Sequence, residues 1–176
     1  MLPIGPLMIE HRLIEKVIAV MKAQLELIQA EKRVDPGLVE KLIHFVKAYA
    51  DRCHHGKEEE ILFRELTQKN LSSEHKRILK ELVEEHRFGR KIVSSLAEAN
   101  QRYREGDTAA LSSIADGLRS LLEFYPGHIR KEDKDFFMPV MDYFSAEEKD
   151  AILKEGYELD SRLMHEEYED LVRIFD

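Results

Sequence analysis

The sequence predicts an all-α protein, an up-down-up-down four-helix bundle with an additional C-terminal helix, and three observations predict it. Apolar residues recur at helical spacing through long stretches, the breakers fall only between those stretches, and no segment alternates in the manner of a strand. The connections are short, so consecutive helices should run antiparallel. The chain has 176 residues, 43% of them hydrophobic, enough to fill one core. Residues 1–142 read as the bundle and residues 143–176 as a helix packed on it.

The first helix is expected from about Pro6 to Ala30, with Leu7, Ile14, Ile18, Met21, Leu25 and Ile28 on one face. The second starts at Pro36, whose fixed φ suits a first turn, and runs to about Lys69 with Val39, Ile43, Val46, Ala50, Ile61 and Leu62 inward. The third opens near Ser73 and turns Ile78, Leu79, Leu82, Val93 and Leu96 to the core. Asp107 or Thr108 can cap the fourth, which carries Ile114, Leu118, Leu121, Phe124 and Phe136 toward Pro139. Ser145-Ala-Glu-Glu148 has the spacing of a capping box and opens a fifth helix with Leu153, Leu159, Leu163, Leu171 and Phe175.

Composition removes several classes of partner. With 35 acidic against 27 basic residues and a net charge of -8, the chain has no basic footprint for nucleic acid or an anionic membrane. A single cysteine excludes an internal disulfide framework and a multi-cysteine zinc site. The N-terminal MLPIGPLMIEHRLIEKV meets Glu10, His11 and Arg12 too early for a signal peptide or a membrane span, so the cytoplasm is the expected location.

Two pairs of segments repeat each other. EHRLIEKVI in the first helix matches EHRFGRKIV in the third, and HHGKEEEILF in the second matches HIRKEDKDFF in the fourth. The spacing agrees: 43 positions separate His11 from His54, and 42 separate His86 from His128. At about 1.5 Å per residue along antiparallel helices, all four histidines fall in one layer roughly 7 to 12 Å from one end of the bundle.

Facing direction selects among neighbours. His54 and Glu58 share the stripe of Val46, Ala50, Ile61 and Leu62, while His55 and Glu59 share a face with Lys47 and Asp51, so the helical phase favours His54 and Glu58 as the inward pair. His86 follows Leu79 and Leu82, and His128 follows Leu121 and Phe124, so both point inward, and Glu132 lies one turn beyond His128. Four imidazoles and two carboxylates in an apolar layer are costly without a compensating charge, and a metal supplies one. The donor set suits iron, manganese or zinc rather than calcium or magnesium, and two carboxylates able to bridge favour two ions. The predicted metal ligands are His11, His54, Glu58, His86, His128 and Glu132, with His55, Glu59 and Tyr125 as additional or outer candidates.

Other chemistry-bearing residues have plainer readings. His44 and His165 lie on polar faces, His75 is about 16 Å along the axis from His86, and Cys53 is turned about 100° from His54, as a packed thiol would be.

These motifs resemble the hemerythrin family, in particular its HHE cation-binding branch: EH on the first helix, CHHGKEEEILF on the second, EHRFGR on the third and HIRKEDKDFFMP on the fourth, over about residues 7–140. The resemblance implies a non-haem di-iron site with an oxo or hydroxo bridge, terminal His11, His54, His86 and His128, and bridging Glu58 and Glu132. Oxygen-carrying members have a second histidine on the third helix, four positions from the first, where this chain has Leu82 and Arg90 around His86. Counting ligands on two six-coordinate irons then leaves two positions for water, Tyr125 or a carboxylate such as Glu59, which argues against simple oxygen carriage. Pro126 removes a hydrogen bond from the fourth helix close to the site and is expected to kink it.

The expected function is therefore a metal-binding module that binds or senses dioxygen, nitric oxide or peroxide, or holds iron for delivery. The alternative is a di-iron enzyme that reduces peroxide or nitric oxide, or an iron-delivery or repair protein. A ferritin-like oxidase requires Glu-x-x-His, and no histidine here has a glutamate three positions before it.

Overall fold

Five helical arms make up the computed structural model, which describes residues 1–173, with side chains to residue 166. They are α1 (Ile4–Glu31), α2 (residues 36–67), α3 (Ser73–Arg104), α4 (residues 110–140) and α5 (Ala146–Arg173). No strand occurs among the described residues. The middle of α2 is wound as a π-helix over Val46–His55 and again over Glu58–Phe63, and α4 is wound the same way over Lys131–Phe136. Such i to i+5 turns are rare and often mark functional positions. Pro126 sits inside an uninterrupted α-helix, Ala110–Arg130, and the winding changes only after it, at Lys131.

The arms start where capping chemistry starts them. Asp35 accepts from the Gly37 amide at 2.9 Å ahead of Pro36, and Ser72 accepts from the His75 amide at 3.1 Å. Of the two candidates before α4, Asp107 is the one that works: its side chain accepts from the Ala109 amide at 3.0 Å and its carbonyl from Ala110 at 3.1 Å. The capping box of α5 closes in both directions, Glu148 N–H to Ser145 Oγ at 3.2 Å and Ser145 N–H to Glu148 Oε2 at 2.8 Å. Ser145→Ala should cost about 1 kcal/mol, read as a fall of about 2–4 °C in Tm; an unchanged Tm would show that α5 does not need its cap.

α3 packs on α2 and α4, α1 packs on α4 and α2, and α5 lies against α2. The helical bundle buries two apolar clusters rather than one. The first holds Ile14, Met21, Val46, Val93, Leu96, Ile114, Leu118 and Leu121. The second holds Ile4, Leu7, Ile61, Leu62, Leu82, Phe136 and Phe137, with Ile152 and Leu159 of α5. In every arm of the bundle the chemistry-bearing residues fall between the two: His11 between Leu7 and Ile14, His54 and Glu58 between Ala50 and Ile61, His86 between Leu82 and Val93, Glu132 between Tyr125 and Phe136. The polar layer is thus floored and roofed by apolar packing, not set at an open end. Ile18, Leu79 and Phe124 are only half-buried. The Leu171 and Phe175 side chains lie outside the described residues. Among the described residues no helix is long and apolar enough to cross a membrane.

Candidate metal centre

Seven side chains converge on the layer: His11 from α1, His54, His55 and Glu58 from α2, His86 from α3, and His128 and Glu132 from α4. None is more than 3% exposed. Their donor atoms form two groups, His11, His54, Glu58 and Glu132 in one and His55, His86 and His128 in the other, each with its atoms within 4.8 Å of one another.

The two carboxylates join the groups. Glu58 has Oε1 3.6 Å from His54 Nε2 and Oε2 3.3 Å from His86 Nε2. Glu132 has Oε2 3.1 Å from His11 Nε2, and Oε1 3.2 Å from His128 Nε2 and 3.5 Å from His86 Nε2. Each carboxylate therefore offers one oxygen to each group. Both oxygens of Glu58 and of Glu132, and Nε2 of His86 and His128, are buried without a hydrogen-bond partner. Buried polar groups are ordinarily satisfied, and unsatisfied charged ones are the most costly. Their common direction is what a cation between them would repay.

Behind the centre stands a second ring of charge. Every one of the five histidines turns Nδ1 outward to a carboxylate: His11 to Asp133 at 2.7 Å, His54 to Glu10 at 2.9 Å, His55 to Asp51 at 3.3 Å, His86 to Glu59 at 2.7 Å and His128 to Glu85 at 2.8 Å. A carboxylate at Nδ1 fixes the ring and aims Nε2 into the layer, as in histidines that bind metals; there Nε2 of His11 and Nε2 of His54 stand 2.9 Å apart. A third ring of cations holds the carboxylates: Arg12 on Asp133, Lys57 on Glu10, Lys131 on Glu85, and Arg90 on both Asp51 at 2.8 Å and Glu59 at 2.6 Å.

The layer's own electrostatics follow from this packing. Burial works against a charged His11, but contact with Glu132 and the charge of Glu58 outweigh it and raise its pKa to about 9. At His86 burial is again outweighed, by Glu132, Glu58 and Glu59, and the pKa rises to about 11. His55 goes the other way, well below the ordinary value, because it is buried and faces His86, His54 and His128. Glu132 stays well below the usual carboxylate range, since His128, His11 and His86 overcome its burial.

All six residues that the sequence singles out as ligands are in the layer. The preference for His54 over His55 is where the sequence reading falls short, because both face inward: His55 is 3% exposed, with its ring stacked on His86 at 3.8 Å between centroids. Glu59 is half-buried and serves His86 from outside. A signal for His55 was present in the repeat. The residue that follows His128 is Ile129, apolar and buried, so the corresponding position after His54 belongs inside as well. Most of the outer carboxylates and cations carry a signal in the repeat as well, Glu10, Arg12 and Glu85 within the EHR triplets, Lys57 and Lys131 before each inward Glu, and Glu59 and Asp133 after it, whereas Asp51 and Arg90 carry none.

Two clefts flank the layer at corresponding places in the halves. One of about 260 Å³ between α2 and α3 is lined by Asp51, His55, Arg90 and Tyr125. The other, about 720 Å³ between α1 and α4, has Ile18, Leu25, Leu122, Ile129 and Tyr125 in its walls alongside charged residues such as Arg12, Lys22 and Asp133. Tyr125 is buried in the walls of both, and its burial raises the phenol's pKa.

The remaining histidines have structural roles or lie at the surface. His75 bonds the Tyr143 hydroxyl at 2.9 Å, His165 bonds the Ser161 carbonyl at 2.8 Å, and His44 is exposed. Cys53 donates to Asp160 at 3.2 Å, and burial pushes its thiol up to about 12, away from thiolate chemistry.

The family model described as Hemerythrin HHE cation binding domain matches residues 2–140. No curated protein and no solved structure matches the chain.

Proposed function

Because the chain belongs to the hemerythrin HHE cation-binding domain family, we propose that its buried layer holds two iron ions and serves to bind or sense a small ligand such as dioxygen, nitric oxide or peroxide. His11 and His54 would hold one ion, His55, His86 and His128 the other, and Glu58 and Glu132 would lie between them. Manganese or zinc suits the same donors. The observation that carries this reading is the set of buried, partnerless atoms on Glu58, Glu132, His86 and His128, all aimed at one centre. The short links between α1, α2, α3 and α4 support an up-down-up-down arrangement, in which each helix delivers its ligands to that layer.

The fifth histidine changes the ligand count. With His55 included, the open positions fall from two to one, at the His11 and His54 end, and the sequence argument against oxygen binding lapses. At that end Ile129 is the counterpart of His55, and it lines the cleft between α1 and α4. Iron bound there supplies the redox change that a small ligand requires. The chain's part is to fix the imidazoles through their outer carboxylates and to keep bulk water out with two apolar clusters. The net charge of -8 accords with a partner that is neither nucleic acid nor an anionic membrane.

Anaerobic purification followed by metal analysis tests the reading, with an optical spectrum before and after exposure to oxygen. Two equivalents of iron and a near-ultraviolet band that changes on exposure are expected; well under one equivalent of iron, manganese or zinc would overturn it. His55→Ala separates a five-histidine site from a four-histidine one. Affinity at one of the two positions should fall by about a hundredfold or more, beyond the range for outer-shell changes, and undiminished loading would return His55 to a packing role.

A further inference from the structure

The two halves of the repeat differ in what stands behind the lysine. In one half, Lys131 bonds Glu85, the partner of His128, and is steadied by Glu81 of α3 at 3.2 Å with a quarter of its side chain in water. In the other, Lys57 bonds Glu10, the partner of His54, and is only 5% exposed. Its second anion is Asp160 at 2.7 Å, which comes from α5, outside the residues that match the family. α5 lies directly over this lysine: a Cβ on Gly156 would stand 3.6 Å from the Lys57 Cδ, and Leu159 packs 3.7 Å from the corresponding point on Gly56.

We propose that Asp160 is a positioning residue for the metal held by His11 and His54, acting through Lys57 and Glu10, so that the docked C-terminal helix sets the affinity of the open end of the pair. This rests on the two-metal reading. The physical reason is charge balance. A buried ammonium needs its anions, and losing one leaves excess positive charge close to a cation site. With Asp160 in place, Lys57 is shared between two carboxylates, and Glu10 keeps one oxygen for the Nδ1–H of His54. Without it, Lys57 leans on Glu10 alone, the hold on His54 weakens, and metal at that end is repelled. The other end has its own lysine and no such dependence.

Release of iron from the full-length, iron-loaded protein to a coloured chelator, followed by absorbance, reads the two positions separately. In Asp160→Asn one phase should quicken by about tenfold, the lower end of the range for outer-shell changes, and the other should keep its rate. Glu10→Gln should quicken the same phase, which identifies it as the His54 end, and Asp160→Glu should restore the slow rate. Glu155→Gln breaks a different contact between α5 and α2, the paired bonds to Arg64 at 2.8 Å, and should leave both phases unchanged. Equal quickening by Asp160→Asn and Glu155→Gln would reduce the aspartate to a clamp for the helix and overturn the proposal, as would unchanged rates in Asp160→Asn. A wild-type protein that takes up no metal would instead overturn the two-metal reading, and this inference with it.

Discussion

Glu132→Ala is expected to take the protein from two equivalents of bound metal to nearly none. Its carboxylate spans both groups of donors, with one oxygen 3.1 Å from His11 and the other within 3.5 Å of both His128 and His86. A terminal histidine serves one group of donors, whereas Glu132 serves both, so its loss removes an anion from each position at once. Two dications would then face five neutral imidazoles and Glu58 alone. Outer-shell changes at metal sites already weaken binding by about ten- to a hundredfold; removing a shared carboxylate should exceed that, and His54→Ala should come next in severity. His44→Ala, an exposed position on α2, is the control and should load fully. Equal metal content in Glu132→Ala, His54→Ala and His44→Ala would refute the site.

Stripping the metal should lower the melting temperature by about 8–16 °C. Free metal at about a thousand times its dissociation constant stabilises the folded state by about 4 kcal/mol, and for a chain of this size each kcal/mol moves Tm by about 2–4 °C. The gap should depend on pH, and its sign follows from the histidines. In the metal-free protein the pKa values of His11 and His86 are raised from 6.5 to about 9 and about 11, so their protons favour folding. That contribution is complete below the ordinary histidine value and is lost as pH rises through 9 and then 11. Metal binding demands neutral imidazoles and releases those protons. The loaded protein therefore gains on the stripped one between pH 7 and pH 10 in calorimetric scans, and a gap that stays constant or narrows over that range would contradict the charge balance drawn for the layer.

Much of this was readable from the chain because the fold repeats itself. Two EHR triplets and two His-x-x-x-Glu pairs are enough to place four histidines at one height, and the caps at Asp35, Ser72 and Ser145 mark helix starts by chemistry that is local. His55 was less legible for a geometrical reason. A step of about 100° per residue assigns neighbours to different faces, but the inward face of α2 is wide enough, over a π-wound stretch, for both His54 and His55. The role of α5 was not legible at all. Asp160 lies 103 positions from Lys57, in a helix whose sequence pattern reports only amphipathicity, and no spacing rule connects the two. Pro126 is a helix breaker by its chemistry, yet the α-helical run Ala110–Arg130 continues through it and the winding changes only at Lys131.

The π-wound turns also decide which kinds of change this molecule tolerates. Each behaves as a surplus residue absorbed within a helix, so the chain between the two apolar clusters is longer than an α-helix of the same rise would need. Removing one residue between positions 40 and 45, where α2 is ordinary α-helix with no surplus to give up, would turn His54, His55 and Glu58 by about 100° against Val39. The helix would still form, with its ligands aimed elsewhere. Substitutions in the same stretch keep the count and hence the aim. Insertions and deletions, rather than exchanges of one side chain for another, are what would divorce folding from metal chemistry here.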